Sequence, residues 1–259
     1  SDLQCGPRWG CWTPLEAPPE MTAEMVPDPA AGDVAVVIAA FRAERTIAAA
    51  LASVMRQRPE AAEIVVVDDG SEDGTARAAA AACPAARIIR LAANRGVAAA
   101  LNVGVAATRA PLVMFLDADD LWAEGAVAAL TAPLVEDAAL DGVFGMTLQF
   151  TDPAGAMAAN EVTAAANGLP AHGALKSAFA IRRAALDRVG PFDEAFHRAD
   201  FVEWLARARH TGLRTARVDT VVHHRRLHAG NLGRLHTDEQ RAQYADVMRA
   251  ISARRRGTA

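Results

Sequence analysis

Two short apolar runs in this sequence end in clusters of acid, and that pattern constrains the fold more than any other feature. Residues 64–67 read Ile-Val-Val-Val and run into Asp68-Asp69-Gly70-Ser71. Residues 112–116 read Leu-Val-Met-Phe-Leu and run into Asp117-Ala118-Asp119-Asp120. Apolar runs of this length without alternation mark strands buried on both faces, as in a parallel sheet held between helices. Residues 34–39 and 87–91 predict two more strands. Between the strands, Ile47, Leu51, Val54 and Met55 recur at helical spacing, as do Val97, Leu101 and Val105. Asp73 is placed to cap the alanine-rich helix that follows it, and Asn94 the next one. Strands alternating with helices imply right-handed crossovers and an α/β fold, a doubly wound, mostly parallel sheet flanked by helices.

The alternation loosens after residue 124. The pattern predicts a helix over 124–135, a strand over 142–150 and a loop over 151–172. A strand, a helix and the turn Gly190-Pro191-Phe192-Asp193 follow. Phe201, Trp204, Leu205 and Ala208 mark an amphipathic helix, and 215–223 a further strand. Thr237 and Gln240 have capping-box spacing at the start of a last helix, with Tyr244, Val247, Met248 and Ile251 on its buried face. The expected organisation is an extended, Trp- and Cys-bearing arm over 1–32 and a main domain over 33–235, closed by a C-terminal helix over 236–259. Within the domain, 33–123 carries the regular alternation and 124–235 forms a looser second half.

Composition excludes several classes. Net charge is −4 over 259 residues, so no global field draws in nucleic acid. No apolar run nears the roughly 18 residues that a bilayer-spanning helix needs. The three cysteines, Cys5, Cys11 and Cys83, are too few for a disulfide framework. With no secretory leader in view, a cytoplasmic location is the expectation.

In an open parallel sheet, ligands bind at the carboxyl ends of the strands. Acidic clusters stand at two such ends here. Carboxylates there suit a hard divalent cation, Mn²⁺ or Mg²⁺, and through it a diphosphate. A single Asp pair after a strand is more often a turn or a cap; two clusters at corresponding ends favour the functional reading.

The ordered set formed by residues 34–41, Val65-Val66-Val67-Asp68-Asp69-Gly70-Ser71, Asn94-Arg95-Gly96 and Phe115-Leu116-Asp117-Ala118-Asp119-Asp120 resembles the family 2 glycosyltransferases of the GT-A fold. The resemblance covers roughly residues 33–235, more loosely in the second half. It implies a nucleotide-diphospho-sugar donor, with a UDP-sugar expected, and transfer to an acceptor that could be a glycan, a lipid, a small molecule or a peptide. It implies that Phe41, Glu44 and one or both of Asp68 and Asp69 lie beside the nucleoside. Arg95 would help to hold the nucleotide. In the DxD motif, Asp119 would bind the metal, while Asp117 would touch the ribose or a metal-bound water. An inverting transfer also needs a general base. The family supplies it after a stretch like Gly190-Pro191-Phe192-Asp193-Glu194, which points to Asp200, with Glu203 as the substitute and an N-cap as the alternative role for Asp200. Arg225, Arg226 and His228 match the segment that closes the donor site; the arginines suit diphosphate, and His228 a further metal bond. The basic loop could equally be solvated. His223 and His224 are expected to be structural. Lys176 is expected at the sheet edge near the acceptor cleft, or simply exposed.

The chain departs from the family at two places. Ala39-Ala40-Phe41-Arg42 stands where Pro-Ala-Tyr-Asn is common, and Ala199 where a Glu often precedes the base. The competing functions are a sugar nucleotidyltransferase, which would want a glycine-rich basic loop at residues 41–44, and a non-catalytic nucleotide-sugar-binding module.

Overall fold

The computed structural model describes residues 34–152, 162, 166–196, 199–227, 245 and 249. The chain runs β1 (Val34–Ala40), α1 (Ile47–Met55), β2 (Glu63–Asp68), α2 (Thr75–Ala82), β3 (Arg87–Arg90), α3 (Val97–Ala106) and β4 (Leu112–Asp117). It continues through β5 (Leu121–Trp122), α4 (Ala126–Glu136), β6 (Gly142–Thr151), β7 (Ala171–His172) and a 3₁₀ turn (Lys176–Ala178). The remaining elements are β8 (Phe179–Arg182), α5 (Arg183–Val189), α6 (Asp200–His210) and β9 (Thr215–Leu227). The expected arm over 1–32 lies outside the described residues, as does the expected C-terminal helix over 236–259 apart from residues 245 and 249, both of them helical.

One sheet carries the order β3-β2-β1-β4-β8-β6-β9-β5, with β7 pairing β6. The first four strands are parallel to one another. Because β2 and β4 lie on opposite sides of β1, a crevice opens at the carboxyl end of β1, the usual ligand position in such sheets. Beyond β4 the pairing is mixed: β8 is antiparallel to β4 and β6, while β6 and β9 run parallel.

Strand patterning fills both faces. Val34, Val36 and Ile38 pack with Ile47, Leu51 and Val54 of α1 and with Val127, Leu130 and Leu134 of α4. On the other face, Val37, Val113 and Phe115 pack with Leu101 of α3 and with the α5–α6 pair. Small residues bring α3 close: a Cβ on Gly104 would meet Val37 Cγ1 at 2.3 Å. The aromatics are few, and they concentrate where α6 meets the sheet. Phe201 stacks on Trp204 (5.9 Å, 7°), and Phe144 on Phe179 (4.1 Å, 19°). Trp204 Nε1 donates to Gly190 O at 2.9 Å. This cluster fixes the start of α6, and with it Asp200.

Several local expectations are corrected. Met55, which shares the helical spacing of Ile47, Leu51 and Val54, is 40% exposed while those three are buried. Asn94 does not cap α3; it is exposed, and the Asp69 carboxylate accepts the Arg95 and Gly96 N–H groups instead, each at 2.8 Å. Asp73 does cap α2, accepting from Thr75 N at 3.1 Å. The last strand extends to Leu227 rather than ending at 223, because its charged end pairs with β6 and buries Arg226.

Candidate active site

The carboxyl end of β1 is flanked by acid on both sides. Register pairs Ala40 with Asp68 of β2 and Ala39 with Asp117 of β4. At the ordinary strand spacing these two backbones lie about 10 Å apart, with β1 between them. A cleft of about 700 Å³ opens beside this end, lined by Phe41, Arg42, Gly70, Arg90 and Asn94 among others. Phe41, at the mouth, is 43% exposed, with the Arg42 guanidinium 5.1 Å from its ring centroid. Arg42 itself sits at φ 51°. Gly70, at φ +72°, lets the Ala93–Asn94 backbone approach so closely that a Cβ would meet Ala93 C at 2.5 Å.

The acidic pair on β2 divides its work. Asp68 is fully buried; its Oδ1 accepts from Ser71 N at 3.0 Å, and its Oδ2 lies 3.5 Å from Arg90 Nε. Asp69 turns to the start of α3, so its carboxylate orders the Arg95 loop. The Arg95 side chain reaches across to Glu194 at 3.0 Å, joining the start of α3 to the loop before α6. Glu44 is not brought to the cleft lining; it pairs with Arg77 at 3.3 Å beside the start of α2.

On β4 the three acids point to three duties. Lys176 Nζ lies 2.9 Å from Asp117 Oδ1 and 3.2 Å from Oδ2, and Ser177 Oγ donates to Oδ2 at 3.2 Å. Burial alone would raise the Asp117 carboxyl; Lys176 outweighs it and holds the group below the usual carboxylate range. Burial would likewise lower the Lys176 ammonium, but Asp117 and then Asp200 push it above the ordinary lysine value. Asp120 faces inward: Oδ2 meets His223 Nε2 at 2.9 Å and Oδ1 accepts from Arg226 N at 2.8 Å. Burial, then the neighbouring Asp119, raises the Asp120 carboxyl. Asp119 is half-buried at the strand end, and its carbonyl accepts from Arg226 Nε at 2.7 Å.

Arg226 does not reach toward a donor. Its guanidinium is 1% exposed, ion-paired with Asp152 and 4.9 Å from the Phe150 ring centroid. It braces Asp119 and Asp120 from within the sheet. Arg225, next along β9, pairs in register with Gln149 and is half-buried. His223 and His224 are buried, His223 between Asp120 and Thr147 Oγ1 (3.1 Å). His228 lies outside the described residues.

Asp200 begins α6 and is 6% exposed, with Oδ2 buried and without a hydrogen-bond partner among the described residues. Burial raises its carboxyl, Lys176 opposes that, and Asp117 adds to it, so Asp200 and the β4 acids stand within reach of each other's charge. Glu203, one turn on, is 1% exposed and binds Arg207 Nε through both oxygens at 3.0 Å. Arg207 in turn donates to the Val189 and Pro191 carbonyls. That pair staples α6 to the preceding turn, leaving Asp200 as the acid that faces the site.

Sequence reasoning undervalued Lys176. It is 15% exposed on its side chain, ion-paired with Asp117 and within electrostatic reach of Asp200. Its one signal was its place two residues before the apolar run Ala178-Phe179-Ala180-Ile181, at the edge of a buried strand. Among the described residues no group of three or more His, Cys, Asp or Glu forms a complete metal cage. With Asp117 taken up by Lys176 and Asp120 turned inward, the protein offers an ion few oxygens of its own, a donor set that suits Mg²⁺ only where waters and phosphates supply the rest.

A parallel β3-β2-β1-β4 half-sheet with a cleft at the carboxyl ends of β1, β2 and β3 and acids at the ends of β2 and β4 defines a GT-A-type domain. The model of glycosyl transferase family 2 matches residues 35–190, more than half of the chain, which therefore belongs to that family. The succinoglycan biosynthesis protein ExoU of Rhizobium meliloti (strain 1021) is 46% identical over 96 residues, 36% of this chain and 28% of that protein. Its counterpart ExoO is 43% identical over 89 residues, 34% and 26% respectively. The match thus spans less than a third of either relative. Among solved structures, residues 1–349 of S. aureus TarS in complex with UDP superpose with a TM-score of 0.63 at 18% identity, over 85% of this chain and 64% of that one. The mannosyltransferase PcManGT from Pyrobaculum calidifontis, in complex with GDP-Man and Mn²⁺, gives 0.58 at 20% identity, over 77% and 58%. At these identities the likeness is one of fold.

Proposed function

We propose that this chain is a metal-dependent, inverting glycosyltransferase that moves a hexosyl group from a nucleoside-diphosphate sugar, a UDP-sugar, to an acceptor hydroxyl. The observation that carries the reading is the placement of a buried Asp200, whose Oδ2 has no hydrogen-bond partner among the described residues, within electrostatic reach of Asp117 and Lys176 on the DxD side. That is the juxtaposition of base and leaving-group site that a single displacement requires.

In this reading the nucleoside lies in the cleft with its base against Phe41, above Gly70 and Asn94. Asp68, Arg90 and the Arg95 loop shape the inner wall. Asp117, held by Lys176, is positioned for the ribose or a metal-bound water. Asp119, and His228 from beyond the described residues, would hold Mn²⁺ or Mg²⁺, which neutralises charge on the departing diphosphate. Arg225 is the arginine left to approach that diphosphate; Arg226 supports the β4 acids from below. Asp200 takes the proton of the acceptor hydroxyl as its oxygen attacks the anomeric carbon. The bond from that carbon to the diphosphate oxygen breaks, and the electron pair leaves with the diphosphate. The raised carboxyl of Asp200 makes it a stronger base than an exposed aspartate.

The test is nucleotide release from a panel of UDP- and GDP-hexoses with Mn²⁺, for wild type and Asp200→Asn. Release in the variant should fall by at least about 100-fold, the usual worth of a general base, while nucleotide binding persists. Equal release from both proteins would refute the role of Asp200. No release from any donor would refute the transferase reading.

A further inference from the structure

A resident cation already occupies the first acid of the DxD motif. Lys176 Nζ contacts both Asp117 oxygens, at 2.9 and 3.2 Å, from a side chain only 15% exposed. Ser177 Oγ adds a third donor on Oδ2, and the Asp117 N–H donates back to Ser177 Oγ at 3.1 Å. The 3₁₀ turn carrying both residues is itself pinned, because Trp122 Nε1 donates to Ser177 O at 2.9 Å. This is a built pairing and not a surface lysine folded over an acid. Asp120 is turned away, into His223 and the Arg226 N–H. A divalent ion arriving alone would therefore meet an Asp117 carboxylate already held by an ammonium and an Asp120 already engaged, well short of the roughly six oxygens it needs. A nucleoside diphosphate changes both terms at once, bringing several phosphate oxygens and enough negative charge to offset the ammonium.

We propose that Lys176 is a resident counter-ion to Asp117 that withholds the site from free divalent cations, so that the ion enters only together with the nucleotide. Lys176 is thus a positioning residue that sets the order of assembly. The inference rests on the metal-dependent reading given above. It explains why a lysine, which would otherwise be costly to bury, stands between two acids.

The test is Mn²⁺ binding to the full chain, read by the loss of the free-ion EPR signal, alone and with UDP or GDP. Wild type should bind Mn²⁺ weakly by itself and at least about tenfold more tightly with one of the nucleotides, since like charges a few ångströms apart repel strongly in a half-buried site. Lys176→Met should bind Mn²⁺ without nucleotide at least about tenfold more tightly than wild type, for the same reason. Lys176→Arg, which keeps the cation, should behave as wild type. Lys176→Met with Asp117→Asn should lose the gained affinity. Far-UV circular dichroism checks that each variant is folded; should Lys176→Met fail that check, the wild-type comparison with and without nucleotide decides alone. If wild type binds Mn²⁺ as tightly alone as with nucleotide, or a folded Lys176→Met gains nothing, the inference is overturned while the transferase reading stands. If wild type binds Mn²⁺ neither alone nor with either nucleotide, the metal-dependent reading falls and takes the inference with it.

Discussion

Asp200 is only as well placed as the helix that carries it, and the seat of that helix is aromatic. Trp204 is fully buried, stacks on Phe201, lies near Phe179 and Phe192, and donates Nε1–H to Gly190 O. Trp204→Ala removes a ring system that buries on the order of 200 Å², worth roughly 5 kcal/mol of transfer free energy at the usual area coefficient. The cavity left behind adds to that and partial collapse subtracts, so the expected loss is about 4 kcal/mol. The orphaned Gly190 carbonyl adds about 1 kcal/mol more. A loss of this size is a large share of an ordinary domain's stability. Trp204→Phe keeps the stack and loses only the indole bond and some volume, for about 1–2 kcal/mol. Urea unfolding followed by circular dichroism measures both. The functional counterpart separates the two ends of the site. Trp204→Phe should lower turnover through a looser Asp200, yet leave nucleotide affinity within about twofold, because the cleft is built on β1 to β4 and not on α6. A Trp204→Ala loss under about 1 kcal/mol, or a nucleotide affinity that falls as much as turnover, would refute this argument.

Other consequences follow from the same geometry. Burial, and secondarily His223, lowers the His224 pKa from 6.5 to about 4. The unfolded chain therefore takes up a proton that the folded one refuses, and stability falls as pH drops from about 6.5 toward 4. Relative to His224→Gln, wild type should lose about 3 kcal/mol across that window, measured as the difference between urea midpoints; a constant difference would contradict it. The raised Asp200 carboxyl predicts that the acid limb of kcat/KM turns above the ordinary aspartate value, and a limb at or below that value would count against Asp200 as the base. Gly70→Ala puts a Cβ into the Ala93 backbone at a left-handed φ, so it should cost about 2 kcal/mol and weaken nucleotide binding; a neutral variant in both assays would show that the loop can move aside.

What was legible in the sequence is what local chemistry dictates. The buried strands β1, β2 and β4 announce themselves as unbroken apolar runs, and each acid cluster sits at a strand end because a parallel sheet leaves no other exit from the core. The first four strands, their crossovers and Asp68, Asp69, Asp117 and Asp119 could be placed from that alone. What was not legible depends on distant pairing. Lys176 meets Asp117 across 59 positions, and a single lysine before an apolar run carries no mark of its partner. The His-His-Arg-Arg segment reads as a polar loop, but β6 recruits it as strand and Asp152 neutralises Arg226 inside. Asn94 had the composition of a cap, yet Asp69, brought by another strand, took both amides. Spacing put Asp200 ahead of Glu203 as the base, but that Glu203 is taken up by Arg207 shows only in the structure.

The central claim is that a nucleoside diphosphate and a divalent ion bind together at the carboxyl ends of β1 and β4. The most direct measurement is the thermal midpoint of wild type and Asp119→Ala with UDP, GDP and dTDP, each with and without Mn²⁺. Ligand at a hundred times its dissociation constant stabilises the folded state by about 2.7 kcal/mol, which for a chain of this size is a rise of roughly 5–10 °C. The account predicts such a rise for one nucleotide, only with Mn²⁺, and its loss in Asp119→Ala. A rise that needs no metal, one that survives in Asp119→Ala, or no rise with any of the three nucleotides would contradict it.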